Sequence, residues 1–273
     1  MWGVLWYPLR LLEHNGLQGV WSTLILYCAA MLVGLPMLWR HRVEFHHLGH
    51  YVVLALASGW CNVAFILAVI DGNVVRVLLL FYLSPLWTVL FGKLILHESM
   101  TREAKATLLL AMTGAVIMLW NPEVGLPWPQ DTADWLAISS GMAFALSNVV
   151  VRKVQGVSIW TKAAVAWGGV VIVAVALLLI TTPSLPQVSG AVYLSAFALG
   201  AICIVTMTMA VLYGVTHMPA HRSAVILLFE IVVGTVSAQI LTDEVVQLAE
   251  WIGGALIVSA ALFAARSHAR EGC

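Results

Sequence analysis

Apolar runs long enough to cross a bilayer follow one another along this chain with almost nothing between them. A helix rises about 1.5 Å per residue, so about 20 apolar residues cross a hydrocarbon layer about 30 Å thick. Ten spans are expected, at 1–12, 17–39, 51–70, 74–96, 104–120, 135–153, 161–182, 190–215, 222–241 and 250–266. Only 10% of the 273 residues are charged, where a soluble domain is nearer about a quarter. In lipid the backbone must satisfy itself, which leaves helices for runs of this length. The expected fold class is an all-α integral membrane protein. The longest connection, "NPEVGLPWPQDTAD" at 121–134, leaves no room for a separate catalytic module. The opening residues lack the basic region and small-residue cleavage site of a signal peptide.

The charges are balanced overall and give no reason to expect nucleic acid as a partner. Their placement sets an orientation. With the N-terminus cytoplasmic, Arg40, Arg42, Lys93, Arg102, Lys105, Arg152, Lys153, Lys162, Arg222, Arg266 and Arg270 fall on the cytoplasmic side, and only Arg10 and Arg76 fall outside. Eleven of thirteen satisfies the positive-inside rule with both termini inside. Cys28, Cys61, Cys203 and Cys273 form no disulfide framework, and no CxxC or HExxH spacing supports a metal. His41, His46, His47 and His50 read as a basic interfacial loop. No metal and no cofactor are expected.

"FYLSPLWTVLFGKLILHE" (81–98) and "LLFEIVVGTVSAQILTDE" (227–244) read as one passage written twice. The offset that maps Glu98 onto Glu244 also maps Arg76 onto Arg222 and Ala115 onto Ala261. Residues 1–120 and 135–266 are therefore read as two repeats, helices 1–5 and 6–10. Five crossings per repeat is odd, so the second copy enters from the opposite side, an arrangement common in secondary transporters, with substrate near the midplane. "FALSNVVVRKV" (144–154) resembles "WGVLWYPLRLL" (2–12), with Arg152 opposite Arg10. The sixth span begins several residues earlier in its repeat, so the first span is expected to lack roughly ten residues, twelve residues reaching only about 18 Å.

Pro85 lies about 13 Å along its helix from Arg76, near mid-bilayer. It cannot donate to the Phe81 carbonyl, and its ring crowds that carbonyl, so the helix should bend there. A carbonyl freed in hydrocarbon is tolerated only where protein or cavity water meets it. Ser84 and Thr88 bring hydroxyls one turn apart, and Tyr82 an aromatic ring with a polar tip. The alternative is a packing kink with Ser84 bonded back to its own helix. Glu230 takes the place of Ser84 in the second repeat. A carboxylate at that depth costs a few kcal/mol and should face the bundle interior or water. It is read as a partner for a substrate ammonium or a proton-coupling site, against a glutamic acid that merely bonds a neighbouring helix.

Other polar groups are sparse. Ser58 and Asn62 lie one turn apart, Ser140, Ser147 and Asn148 mark a face of the sixth span, and Thr206 and Tyr213 share the eighth, where Thr208 is the repeat-mate of Asn62. Singly, each reads as interhelical glue; together they mark a polar path at mid-depth. Trp21, Trp39, Trp120, Trp128, Trp135, Trp160 and Trp251 read as interfacial belt residues. Trp60, Trp87 and Trp167 lie within spans, and Trp2 and Trp6 share a face with Arg10. The candidate substrate cavity comprises Trp60, Asn62, Tyr82, Ser84, Asn148, Trp167, Thr206, Tyr213 and Glu230.

"VVRVLLLFYLSPLWTVLFGKLILHESMT" followed by "LLLAMTGAVIML" resembles the EamA-type domain of the drug/metabolite transporter superfamily. The pattern is a helix with a central proline, a closing glutamate and a following helix that contains glycine. "ILLFEIVVGTVSAQILTDEVV" repeats it, except that Ile231 stands where the family often has proline, so the ninth span lacks that chemical cause for a kink. The resemblance implies a ten-helix secondary carrier working by alternating access in a bacterial inner membrane. Helices three, four, eight and nine, with one and six, would surround the cavity. Among small bacterial members it is most similar to exporters of amino acids, aromatic ones first. The implied partners are a small-molecule substrate and the lipid bilayer, with protons the candidate coupling ion, in a monomer or weak dimer. Cationic drugs, nucleobases or another metabolite are the alternative cargo. The spans hold no nucleophile–base pair for an enzyme, and too little projects from the bilayer for a scaffold.

Overall fold

The structure, a computed structural model, describes residues 2–17, 19–40, 47–72, 74–120, 129–181, 184–241 and 247–271. Arg42, His41, His46, Trp128, Glu244 and Cys273 lie outside the described residues. All regular structure among those described is helical. The helices are α1 (Trp2–His14), α2 (Gly19–Arg40), α3 (Leu48–Asp71), α4 (Val74–Phe81) and α5 (Ser84–Phe91), the last continued by a π turn, Gly92–Leu96. After α6 (Arg102–Leu119) come α7 (Thr132–Lys153), α8 (Ile159–Thr181) and α9 (Gly190–Leu199), a second π turn at Gly200–Ile204, and α10 (Val205–His217). The chain ends in α11 (Ala220–Leu227), α12 (Phe229–Leu241) and α13 (Leu248–Glu271).

The pairs α4–α5, α9–α10 and α11–α12 each make one interrupted rod, so the described helices form ten rods at the ten positions expected. Seven rods are long and apolar enough to cross a membrane, and Leu248–Ala264 within α13 is a shorter apolar stretch. The outward surface agrees: Ile180 is 79% exposed and Ile240 75%, a large apolar surface that water would not support. α6 carries Arg102, Glu103 and Lys105 in its first turn, and α1 has thirteen residues.

Lipid tails are as apolar as leucine, so these helices associate by close packing at small residues. Gly169 of α8 lies against the Ala55 carbonyl of α3, and Gly59 of α3 lies against Gly169 in return. A Cβ on Gly114 of α6 would fall 2.6 Å from the Gly253 carbonyl of α13, and one on Gly253 would fall 2.5 Å from that of Gly114. Such seams join the rods into two packed bodies. One core draws on α2, α3, α7, α8 and α10 through Leu26, Leu54, Val151, Trp167 and Met207, and a smaller one adds α4 through Val77 and Leu80. The other core belongs to α6, α11, α12 and α13, through Ala111, Val225, Ile231 and Ile257. α1 touches both: Leu5 enters the first core while Gly3 lies on α12.

A buried ion pair fixes α4 to α7 inside the first body. Arg76 Nε donates to Asp134 Oδ2 at 2.6 Å, and that oxygen also accepts the Gln130 N–H at 2.8 Å. Asp131 caps α7 by accepting the Asp134 N–H at 2.9 Å. Removing one partner of a buried pair strands the other charge. Asp134→Asn is therefore expected to destabilise the protein by roughly 3 kcal/mol, read as a lower melting temperature in detergent, with Arg76→Met in the same chain recovering part of the loss.

Candidate functional site

The fourth rod breaks where the proline requires it. Tyr82 N–H bonds to Leu78 at 2.9 Å, Leu83 N–H bonds only three residues back, to Leu80 at 3.3 Å, and Leu86 N–H reaches Leu83 at 2.9 Å. Pro85 has no proton for the Phe81 carbonyl. That carbonyl faces Gly141 of α7 so closely that a Cβ there would lie 2.7 Å from it. A glycine Cα–H is what such an approach admits, and a Cα–H···O contact partly compensates the lost bond. Thr88 donates to the Ser84 carbonyl at 3.0 Å, so its hydroxyl serves the helix and both side chains are buried.

Three rods bring aromatic rings to this break. Phe81 meets Phe65 of α3 at 5.0 Å, Tyr82 at 5.4 Å and Phe144 of α7 at 5.7 Å, all edge-on or tilted. Such pairs are worth about 1 kcal/mol each beyond their burial. Tyr82 turns the other way and packs, with Leu83, against the second body's core. The break thus lies on the seam between the bodies.

The ninth rod is interrupted as well, although Ile231 stands in place of a proline. Leu228 N–H bonds to Ala224 at 3.3 Å, and Ile231 N–H turns back only to Leu228 at 3.0 Å. The finding differs from the sequence expectation, and the local geometry points to tertiary packing. α1 presses on α12 within one turn of the break: a Cβ on Gly3 would fall 2.6 Å from the Glu230 carbonyl and 2.9 Å from the Gly234 nitrogen. Trp6 Nε1 donates to Ser237 Oγ at 2.9 Å, and that hydroxyl faces the Gly3 and Gly234 carbonyls at 3.0 and 2.8 Å. Glu230 stands in this first turn of α12, half-buried, within electrostatic reach of Tyr82. Its carboxylate makes no hydrogen bond to a described residue.

The other candidates disperse. Asn62 accepts from Tyr27 at 3.0 Å and donates to the Ser58 carbonyl at 3.0 Å, inside the first body. Asn148 is buried without a hydrogen bond to a described residue. Trp167 is fully buried, donates to Thr208 Oγ1 at 3.2 Å and packs over Gly34; it is a structural pillar of the first core. Trp60 is 44% exposed and donates to Ser139 at 3.2 Å. Thr206 is exposed and its hydroxyl returns to the Ile202 carbonyl. Tyr213 is 60% exposed, against His217 at 4.3 Å. The structure places Tyr82 on the seam, with Glu230 within electrostatic reach of it and Ser84 buried at the break beside it, while Trp60, Thr206 and Tyr213 are exposed. Sequence reasoning missed Phe65, Phe81, Phe144 and Gly141. One signal was present: Phe81 is the residue whose carbonyl Pro85 frees.

The seam offers a carboxylate acceptor, aromatic faces and two helix interruptions at one place in a multi-pass helical membrane protein. That is the equipment of a small-molecule carrier. The model of the EamA-like transporter family matches residues 1–120 and 131–266, and the chain belongs to that family. No curated protein sequence matches. One solved crystal structure superposes with a TM-score of 0.76 at 19% identity, over 96% of this chain and 94% of that one, which shows the fold.

Trp167→Ala is expected to cost about 3 kcal/mol or more, the usual loss for a large buried aromatic, while Tyr213→Ala changes stability by less than about 0.5 kcal/mol. Unfolding of the purified variants in detergent checks both.

Proposed function

We propose that this chain is a secondary exporter of amino acids with aromatic or large apolar side chains, or of closely related metabolites. It works by alternating access in a bacterial inner membrane with both termini cytoplasmic. One observation carries the reading. Glu230, without a hydrogen-bond partner among the described residues, stands in the first turn of α12 within electrostatic reach of Tyr82, which packs on the seam between the two bodies. The broken rods α4–α5 and α11–α12 meet there, and Phe65, Phe81 and Phe144 gather behind Tyr82. The carboxylate takes the substrate ammonium or the coupling proton, and the rings take a flat apolar side chain. Charge and ring faces together also suit a lipophilic cation, the second reading.

The basic residues support the orientation. Lys153 Nζ donates to the Ile95 carbonyl at 3.0 Å, and Arg152 near the close of α7 and Lys162 and Arg222 near the starts of α8 and α11 gather on the side of Glu98 and Thr216, as the positive-inside rule requires of a cytoplasmic side.

Counterflow tests the proposal. Proteoliposomes loaded with unlabelled Phe, Tyr and Trp should accumulate labelled Phe from outside, and other large apolar amino acids should compete. Accumulation driven only by lipophilic cations would transfer the cargo to the second reading. Glu230→Gln is expected to retain the fold but to lose at least about 90% of this exchange, or its pH dependence, as when a buried charge partner is removed. Unaltered exchange and unaltered pH dependence would remove Glu230 from the mechanism.

A further inference from the structure

The far end of the α5 rod bends back on itself. The π turn ends at His97, whose φ of 56° lies in the left-handed region, and Glu98 N–H returns to the Gly92 carbonyl at 3.2 Å. Helix ends of this form normally use glycine. The turn delivers the Glu98 side chain to two other rods. One carboxylate oxygen faces Arg152 Nε of α7 at 3.5 Å, and the other accepts the N–H of Ala220, the first residue of α11, at 2.9 Å.

Arg152 is itself anchored, donating through Nη1 to the Thr216 carbonyl at the end of α10 at 2.7 Å. Lys162 of α8 is fully buried and donates to the Val151 carbonyl at 2.8 Å and to Thr216 Oγ1 at 3.3 Å. α7, α8 and α10 are thereby locked within the first body. α11 belongs to the second. Glu98 therefore joins the two bodies, whereas the Arg76–Asp134 pair at the other end stays inside one. A cleft of about 210 Å³, open to solvent, lies beside it, lined by Glu98, Ser99, Thr101, Pro219, His221 and Arg222. A second hollow of only about 10 Å³, too small for more than a single water, shares Glu98 and His221 and is also lined by Thr88, Val89 and Gly92, one turn from the break at Ser84.

We propose that Glu98 is the latch of the cytoplasmic seam: its bond to the Ala220 N–H holds α11 shut against α5 and α7, and its release opens a path from the cleft to the broken segment. What travels that path rests on the function proposed above; the latch itself does not.

The test uses the full chain in inside-out vesicles without substrate. Native cysteines are replaced, Val89→Cys is the reporter, and a membrane-impermeant maleimide is the probe. Glu98→Gln, which leaves the Ala220 N–H only a neutral and weaker acceptor and removes the charge facing Arg152, should speed labelling about fivefold or more. The exchange of Glu98→Arg with Arg152→Glu re-forms an ion pair but sets a cation against the Ala220 N–H, so labelling should stay fast. An unchanged rate in Glu98→Gln, or a slow rate restored by the exchange, overturns the latch. Ala174→Cys, fully buried in α8, reports general unfolding. If it too becomes reactive, Glu98→Asp replaces Glu98→Gln; faster labelling at Val89 alone supports the latch, and no change overturns it. Since no substrate is present, the latch and the cargo can fail separately.

Discussion

A backbone carbonyl that loses its helical partner in hydrocarbon must find another or be lined by protein. In this chain the Phe81 carbonyl loses its partner to Pro85 and is received by the bare Cα of Gly141. Much else depends on that contact. It sets α4–α5 against α7 at the midpoint, between the Arg76–Asp134 pair at one end and the Glu98–Arg152 pair at the other. At the end of α4 the Phe81 ring joins Phe65 and Phe144, while the Tyr82 ring turns to the second body.

The second half reaches a similar result by a different device. α11–α12 has no proline at its interruption, yet Gly3 of α1 sits on the Glu230 carbonyl as Gly141 sits on that of Phe81. Both of these broken rods are thus matched, through a glycine, with a rod from the other half of the chain. Two packed bodies are joined along these two broken rods. Their cores are separate clusters, so a change at the seam need not unpack either.

The architecture was legible because span length and charge placement are imposed by the bilayer and not by tertiary detail. Ten runs were read, ten rods are found among the described residues, and the break at Pro85 follows from ring chemistry alone. The break at Leu228 was not legible because it coincides with packing by a helix more than 200 residues away in sequence. The site was legible only in part. Glu230 and Tyr82 stand out because polar groups are costly at that depth. A helix that is apolar all round carries no periodicity to say which face looks inward, so the sequence could not say whether Trp60, Thr206 and Tyr213 stand near them. Phe65, Phe81 and Phe144 were hidden for the same reason, as ordinary hydrophobes among hydrophobes.

The central claim is that substrate sits on the seam at the broken rods. A photoactivatable phenylalanine analogue, irradiated with the intact protein in proteoliposomes and followed by peptide mapping, tests it most directly. The account predicts adducts on 81–88, 141–148 and 229–237, suppressed by excess unlabelled phenylalanine. Suppressible adducts confined to the outer faces of α8 and α9, with none on those three segments, would contradict it.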